Sequence, residues 1–226
     1  MNDNVTQSIR ESYDRVAEEY ARRLSRELEH KPFDRELLNR LAEETCGRGE
    51  ICDLGCGPGQ VARYLRDAGA AVFGLDLSPR MLVQARALNP DITFHEGNML
   101  ALGLSDGSLA GIAAFYVIVN LPKASWTVAF REMERVLQAD GRLLVAFHVG
   151  NEALHGEQLW GLPIAMDFFL LQPSEVRNSM EAAALEVEEI VERGPYCPEV
   201  EYPSQRAYIF ARKPGTVRKR QTPHGA

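Results

Sequence analysis

The chain has 226 residues, of which 45% are hydrophobic and 25% are charged, and its formal net charge is −7. This composition is typical of one soluble globular domain and excludes a disordered chain, while the negative charge argues against tight binding to nucleic acid. No apolar run approaches the roughly 18 residues of a membrane-spanning helix, and no basic-then-apolar leader is present, so we expect a cytoplasmic protein without a membrane partner.

Two helices are predicted before the first strand. Apolar side chains recur at helical spacing and indicate an amphipathic helix from about residue 6 to residue 29: Ile9, Tyr13, Val16, Tyr20 and Leu24. A second helix is expected to begin near Pro32 and to end before Gly47. We interpret residues 1–47 as a helical cover on the domain that follows.

From residue 50 onward, strands and helices alternate, which predicts a parallel sheet. Strands are expected at 50–54, 71–76, 92–95, 111–118 and 143–147, with helices at 59–68, after Ser78 and around Phe130. Residues 150–172 break the alternation, and we interpret them as a lid or insert. A helix is expected after Pro173. Runs at 185–191 and 207–211 then predict an antiparallel pair that closes the sheet.

The chain is therefore expected to form a single domain over residues 1–213. Basic residues cluster near its end, flanked by proline and glycine: Arg212, Lys213, Arg218, Lys219 and Arg220. We interpret residues 214–226 as a flexible basic tail. The four cysteines, Cys46, Cys52, Cys56 and Cys197, fit no zinc-binding spacing, so reduced thiols and no metal site are expected.

The first strand leads into a glycine loop, Asp53-Leu54-Gly55-Cys56-Gly57-Pro58-Gly59. Glycines let the backbone approach a ligand, and the helix N-terminus after them offers free N–H groups. A pyrophosphate would meet Asp53 with no lysine or arginine in the loop to offset the repulsion. The third glycine also comes one position earlier than in the dinucleotide fingerprint. The loop thus favours a cationic nucleoside such as S-adenosylmethionine over a turn without a ligand.

A second acid, Asp76, ends the next predicted strand. An acidic side chain at this position of a doubly wound sheet can accept hydrogen bonds from both ribose hydroxyls. Asp76 therefore supports adenosine binding.

Further motifs carry a family resemblance: Asp76-Leu77-Ser78-Pro79-Arg80-Met81-Leu82, Glu96-Gly97-Asn98-Met99, Arg135-Val136-Leu137 and Gly141-Arg142-Leu143. From about Tyr13 to Lys213, the sequence resembles class I S-adenosylmethionine-dependent methyltransferases, in particular the small bacterial enzymes grouped around the ubiquinone-biosynthesis C-methyltransferase type. The resemblance implies a Rossmann-like three-layer α/β/α sandwich. Its seven-stranded, mostly parallel sheet would have the order 3-2-1-4-5-7-6 with strand 7 antiparallel.

Carried over by position, the resemblance and the strand ends together give the expected cofactor contacts: Tyr20, Asp53, Gly55, Cys56, Gly57, Asp76, Leu77, Met81, Asn98, Met99 and Phe115. The methionine portion would lie on the glycine loop, the ribose on Asp76, and the adenine near Leu77 and Asn98. Relatives usually have aspartate at the position of Asn98, although an amide oxygen can also accept a hydrogen bond from the adenine amine. Gly111 also departs from the aspartate that relatives often place before the fourth strand.

Two residues at strand ends are catalytic candidates. His148 ends the fifth strand and is the predicted general base, because histidine titrates near neutrality; a hydrogen-bonded structural histidine is the alternative. Tyr116 ends the fourth strand beside Phe115, where it can assist deprotonation or contact a sulfonium through its ring. Weaker candidates for the general base are His155 and Asp167. Asn120 is a candidate for a substrate contact or a loop cap, and Lys31 for pairing with the methionine carboxylate.

The predicted activity is transfer of a methyl group from S-adenosylmethionine to an oxygen, nitrogen or carbon atom of a small molecule, leaving S-adenosylhomocysteine. Apolar residues of the 150–172 segment suggest an acceptor with apolar or aromatic surface, or packing on the sheet or on a second subunit: Leu159, Trp160, Leu162, Ile164, Met166, Phe168 and Phe169. A nicotinamide-dependent Rossmann oxidoreductase and a non-catalytic S-adenosylmethionine-binding subunit are the alternatives. We expect a monomer or a homodimer.

Overall fold

The computed structural model describes residues 3–215. Its helices are α1 (Asp3–Leu24), α2 (Pro32–Thr45), α3 (Gln60–Asp67), α4 (Pro79–Leu88), α5 (Trp126–Val136) and α6 (Pro173–Glu181). Its strands are β1 (Glu50–Leu54), β2 (Val72–Asp76), β3 (Thr93–Glu96), β4 (Leu109–Phe115), β5 (Leu137–His148), β6 (Ala153–Leu159), β7 (Leu162–Phe169), β8 (Glu186–Arg193) and β9 (Arg206–Arg212). Most of the predicted basic tail, residues 216–226, lies outside the described residues.

The central sheet has seven strands in the order β3-β2-β1-β4-β5-β9-β8. Strands β1 to β5 pair in parallel, whereas β9 is antiparallel to both β5 and β8. The predicted strand order is confirmed, with β8 and β9 as the sixth and seventh strands of the sheet. Helices α5 and α6 pack on one face, and α2, α3 and α4 pack on the other. The predicted three-layer sandwich is therefore confirmed.

Strand β4 ends earlier than the sequence predicts. Residues 109–114 are buried, as expected for a central parallel strand covered on both faces. Tyr116 then adopts a left-handed backbone with φ of 56°, and a short 3-10 helix follows at Ile118–Asn120. A positive φ is rare for a bulky residue. This turn ends the strand and brings residues 117–121 across the carboxyl ends of the neighbouring strands.

Residues 150–172 contain the β-hairpin β6–β7, which is separate from the central sheet. Along β7, Ile164 and Met166 are buried against α1, and the residues between them are exposed. The hydroxyl of Ser12 accepts a hydrogen bond from the Ala165 N–H at 2.9 Å, and the hydroxyl of Ser8 donates one to the Ala165 carbonyl. Helix α1 and this hairpin therefore form one layer, which we call the α1–hairpin cover.

Within residues 3–215, no helix is both long and apolar enough to cross a membrane.

Candidate active site

A cavity of about 710 Å³, part of it open to solvent, lies beneath α1 at the carboxyl ends of β1, β2 and β4. Eight of the predicted cofactor residues line it: Tyr20, Gly55, Gly57, Asp76, Leu77, Met81, Asn98 and Met99. None of the described residues that line it is a lysine or an arginine. The cavity therefore has one acidic side chain, Asp76, and no cation to neutralise a phosphate.

At Gly55 the glycine loop approaches its neighbour too closely for a side chain, and at Gly57 it packs against Tyr20. Gly55 has φ of +72°, and a Cβ added there would lie 2.7 Å from the Cβ of Val117. Gly57 has φ of +50°, and its added Cβ would lie 3.7 Å from the ring of Tyr20. The loop is thus held between Val117 from the turn after β4 and Tyr20 from the cover, with its backbone at the cavity wall.

We expect Gly55→Ala to destabilise the protein by roughly 2 to 5 kcal/mol, because a left-handed alanine costs about 1–2 kcal/mol and overpacking adds about 1–3 kcal/mol. Gly69→Ala is the matched control, since Gly69 also has a positive φ, +88°, but a Cβ there would meet no atom within 4 Å. Urea unfolding of both variants measures the difference. Equal losses of stability in the two variants would show that Val117 moves aside for the added methyl group at no energetic cost.

Asp76 is held at the cavity wall by backbone donors. Its carboxylate accepts hydrogen bonds from the N–H groups of Gly57 and Ser78, each at 2.8 Å. Burial raises its pKa above the ordinary aspartate value. Because each carboxylate oxygen can accept a second hydrogen bond, Asp76 retains the capacity to bind two ribose hydroxyls.

Asp53 lies beneath the glycine loop and does not line the cavity. Its carboxylate accepts a hydrogen bond from the Ala62 N–H at 2.9 Å in the first turn of α3, and burial raises its pKa to about 7. In the structure, the acidic side chain that faces the cavity is Asp76. A ligand on the loop therefore does not meet the Asp53 carboxylate, which supports the loop from below.

Two other predicted cofactor residues also lie outside the cavity lining. Cys56 is buried, and a Cβ added to Gly74 would lie 2.8 Å from its sulfur. The ring of Phe115 packs between Tyr116 and Tyr208, at centroid distances of 6.3 and 6.4 Å. Both side chains contribute to the core on the α2–α4 face of the sheet.

The opposite end of the cavity suits an adenine ring. Leu77, Met81 and Met99 give it apolar walls, and Asn98 supplies an amide. The Asn98 Oδ1 accepts a hydrogen bond from the Leu100 N–H at 2.9 Å, which leaves its Nδ2 and one further lone pair for a ligand. An adenine edge offers both ring-nitrogen acceptors and an amine donor, so this amide can bind either.

Polar contacts fix the cover over the cavity. The Tyr13 hydroxyl donates to Asn120 Oδ1 at 2.7 Å, and Asn120 Nδ2 donates to the Asp167 carbonyl at 2.9 Å. Asp14, which the sequence analysis did not single out, accepts from the Ser78 hydroxyl at 2.6 Å. Helix α1 is thereby bonded to the turn after β4 and to the start of α4. The one signal for Asp14 is its place on α1 between two cavity-lining tyrosines.

The two catalytic candidates lie next to each other beyond this cavity. The ring of His148 packs against that of Tyr116 at a centroid distance of 4.9 Å, and its Nδ1 is 2.7 Å from the Ser204 hydroxyl. Burial together with Arg206 and Lys31 lowers the pKa of His148 to about 4. Neither side chain lines the cavity, although Tyr116 directly precedes Val117, which does. The weaker candidates His155 and Asp167 pair with each other on the exposed hairpin.

A buried group of charged residues, which we call the charge cluster, lies beside His148: Glu27, Lys31, Asp34, Arg193, Glu201 and Arg206. Glu201 lies 2.6 Å from Arg193 and 3.0 Å from Arg206, and Arg193 also lies 2.9 Å from Asp34. Lys31 Nζ lies 2.5 Å from Glu27. Lys31 is therefore paired within the protein. The sequence analysis missed this cluster because its members come from both ends of the chain.

Among residues 3–215, no group of three or more histidine, cysteine, aspartate or glutamate side chains is arranged to hold a metal ion. All four cysteines are free thiols, with Cys52 and Cys56 buried.

Comparisons with known proteins find similarity to methyltransferases. The family described as "Methyltransferase domain" matches residues 51–141. The chain is 31% identical over 155 residues to a malonyl-[acyl-carrier protein] O-methyltransferase of Erwinia billingiae, covering 66% of this chain and 56% of the relative. It is 35% identical over 98 residues to a demethylmenaquinone methyltransferase of Renibacterium salmoninarum, covering 42% of this chain and 40% of the relative. The matches thus span about half the length of these curated relatives.

Among solved structures, a S-adenosylmethionine-dependent methyltransferase from Methanosarcina mazei superposes with a TM-score of 0.66. The alignment covers 74% of this chain and 92% of that one, at 15% sequence identity. At this identity, the similarity shows a shared fold.

Proposed function

Because the chain belongs to the class I S-adenosylmethionine-dependent methyltransferases, we propose that it transfers the methyl group of S-adenosylmethionine to a small acceptor molecule. The observation that carries this proposal is the cavity beneath α1. There the glycine loop, Asp76 and the Asn98 amide meet without a lysine or an arginine. This set of groups fits an adenosine with a cationic substituent.

Electrostatics supports this ligand over a dinucleotide. S-adenosylmethionine carries a sulfonium and an ammonium, which the Asp76 carboxylate attracts. The glycine loop also has its third glycine one position earlier than the dinucleotide fingerprint requires, and no lysine or arginine lines the cavity to neutralise a pyrophosphate. The alternative of a nicotinamide-dependent oxidoreductase is therefore disfavoured.

We assign the cofactor contacts by their places in the cavity. Asp76 would bind the ribose hydroxyls, Leu77 and Met81 would pack on the adenine, and Asn98 would bond to its edge. Tyr20 would cover the methionine portion above Gly57. When bound, S-adenosylmethionine supplies a methyl group that its sulfonium already activates. The protein then has to align the acceptor and exclude water, and the α1–hairpin cover is suited to the second task.

The acceptor would lie on the far side of Val117, against Tyr116 and His148. Most apolar side chains of the hairpin pack against α1 or the sheet, so they offer little surface to an acceptor. An exception is Trp160, whose ring stands 5.6 Å from that of Tyr20. Aromatic faces from Tyr20, Tyr116 and Trp160 support an acceptor that is partly apolar or aromatic.

We also propose that residues 1–213 form a single domain, because α1 and the hairpin pack against each other and against Met81 of α4.

Calorimetry with S-adenosylhomocysteine and with NAD tests the cofactor assignment. We expect S-adenosylhomocysteine to bind with a Kd in the micromolar range and NAD to show no measurable heat. Binding of NAD alone would overturn the proposal. Transfer of a labelled methyl group to a panel of small acids, phenols and amines then tests catalysis. Tight S-adenosylhomocysteine binding with no transfer to any of them would instead favour a non-catalytic binding subunit.

A further inference from the structure

Building on the proposed methyl transfer, we infer that Ser204 holds His148 in the tautomer with its proton on Nε2, and that this N–H binds an acceptor oxygen that is already an anion. The acceptor class is then a carboxylate, or an enol or phenol acidic enough to be ionised at neutral pH. His148 would serve as a hydrogen-bond donor to the acceptor, in place of the general-base role that the sequence predicts. Ser204 would be a positioning residue.

The tautomer follows from counting donors and acceptors at Ser204. Its hydroxyl oxygen is 2.7 Å from His148 Nδ1 and 3.4 Å from Arg206 Nη1. Arginine can only donate, so this contact uses a lone pair of the hydroxyl oxygen. Within residues 3–215, Nδ1 is the one acceptor at hydrogen-bonding distance from the hydroxyl proton. With Ser204 as the donor to Nδ1, the ring proton lies on Nε2.

The other ring nitrogen is left for a bound molecule. None of the hydrogen bonds formed by residues 3–215 involves His148 Nε2, although the ring is partly buried. The same ring packs on Tyr116, whose chain neighbour Val117 lines the cofactor cavity. The acceptor is then placed between the His148 ring and the cavity.

The surroundings of His148 disfavour a protonated imidazole. Arg206 of β9 and Lys31 before α2 face it, and both also lie over the Tyr116 ring, at 6.0 and 5.7 Å from its centroid. The other groups near the ring are Glu201, Tyr116 and Tyr202. With a pKa of about 4, lowered first by burial, His148 stays neutral at neutral pH. A base would have to become a cation beside Arg206 and Lys31, which already pair with Glu201 and Glu27, whereas a neutral ring donates a hydrogen bond without gaining charge.

The reaction balances without a proton transfer. A lone pair of the acceptor oxygen forms the new bond to the methyl carbon, and the carbon–sulfur bond breaks with its electron pair moving to sulfur. The negative charge of the acceptor and the positive charge of the sulfonium are both lost. The products are a methylated acceptor and the neutral thioether S-adenosylhomocysteine.

NMR spectroscopy of the full chain labelled with ¹⁵N-histidine tests the tautomer without any need for activity. Comparison with His148→Gln assigns the signal. We expect the ring proton on Nε2 and no protonation of the ring down to about pH 5. Ser204→Ala should release the constraint and populate both tautomers, and Ser204→Thr should restore the original one. A proton on Nδ1 in the unmodified protein, or an imidazolium at pH 6, would overturn the inference even if methyl transfer is confirmed.

Matched acceptor pairs test the substrate class. Benzoate with benzyl alcohol, and 4-nitrophenol with 4-nitroaniline, differ chiefly in whether the nucleophile is an anion. We expect labelled methyl transfer only to the anionic member of each pair, with a kcat/KM that rises through the pKa of the acceptor. His148→Leu should lower kcat by about 100-fold, the typical effect of losing one donor to an oxyanion, and His148→Gln should recover most of it. Preferred transfer to the alcohol or the amine would contradict the inference, whereas failure of S-adenosylhomocysteine to bind would contradict the proposed function itself.

Discussion

Asp76→Ala is expected to weaken S-adenosylhomocysteine binding by more than about 100-fold. Asp76 is the one acidic side chain that lines the cavity, and two ribose hydroxyls would donate to it. Hydrogen bonds to a charged group contribute about 1.5–3 kcal/mol each, so losing two of them costs at least about 3 kcal/mol. Every 1.4 kcal/mol is about a tenfold change in Kd. Titration calorimetry of the variant and the unmodified chain measures the ratio.

Asp53→Asn is the matched control for this prediction. The Asn oxygen can still accept a hydrogen bond from the Ala62 N–H, and the side chain does not reach the cavity. We expect its affinity for S-adenosylhomocysteine to stay within about tenfold of the unmodified protein, because no direct contact is lost. If Asp76→Ala binds normally, the ribose assignment is wrong. A larger loss in Asp53→Asn than in Asp76→Ala would show that the carboxylate beneath the loop controls affinity.

Glu201→Ala is expected to lower the free energy of unfolding by about 3–5 kcal/mol, the usual cost of breaking a buried ion pair. Its side chain is 2% exposed and contacts Arg193 and Arg206. It also accepts a hydrogen bond from the Tyr196 N–H at 2.6 Å. Without Glu201, two guanidinium groups lose a buried partner, and the loop between β8 and β9 loses its central anchor. Urea unfolding followed by circular dichroism measures the change.

Glu175→Ala serves as the comparison for Glu201→Ala. Glu175 pairs with Lys123 at 2.7 Å, but both side chains are largely exposed. Such surface pairs contribute about 0–1 kcal/mol, so this variant should unfold at nearly the same urea concentration as the unmodified protein. Similar losses in the two variants would show that the charge cluster is solvated and does not anchor the loop. Because Ser204 belongs to that loop, Glu201→Ala should also disturb the tautomer of His148.

Local patterns were enough to predict the alternation of strands and helices and the glycine loop, whereas the strand order and the adenine contacts were implied by the family resemblance. The helix after β2 begins as expected, with the Ser78 hydroxyl accepting from the Met81 N–H at 3.1 Å and Pro79 in the first turn. The glycine loop and Asp76 also lie where their positions at strand ends indicate. These features depend on spacings of a few residues, because caps, turns and strand ends are set by hydrogen bonds between near neighbours in the chain.

Side-chain direction was harder to predict. Asp53 and Asp76 both follow apolar runs, yet only Asp76 faces the cavity. Asp76 is the last residue of β2, whereas Asp53 precedes the last residue of β1 and points beneath the loop toward α3. Similarly, the alternation of β6 and β7 was hidden within a segment rich in apolar residues at both buried and exposed positions.

By itself, the amino-acid sequence determined the alternation of strands and helices, a mostly parallel sheet and the nucleoside-binding loop, because periodicity and glycine spacing encode backbone geometry directly. The order of the seven strands was implied by the family resemblance. The tertiary structure alone decided that the hairpin docks on α1 and that Ser204 meets His148. It also decided that Asp34 and Arg193, 159 residues apart, share one buried cluster. Such contacts depend on how distant segments pack and on the need to pair every buried charge. Neither can be recognised from a short stretch of sequence.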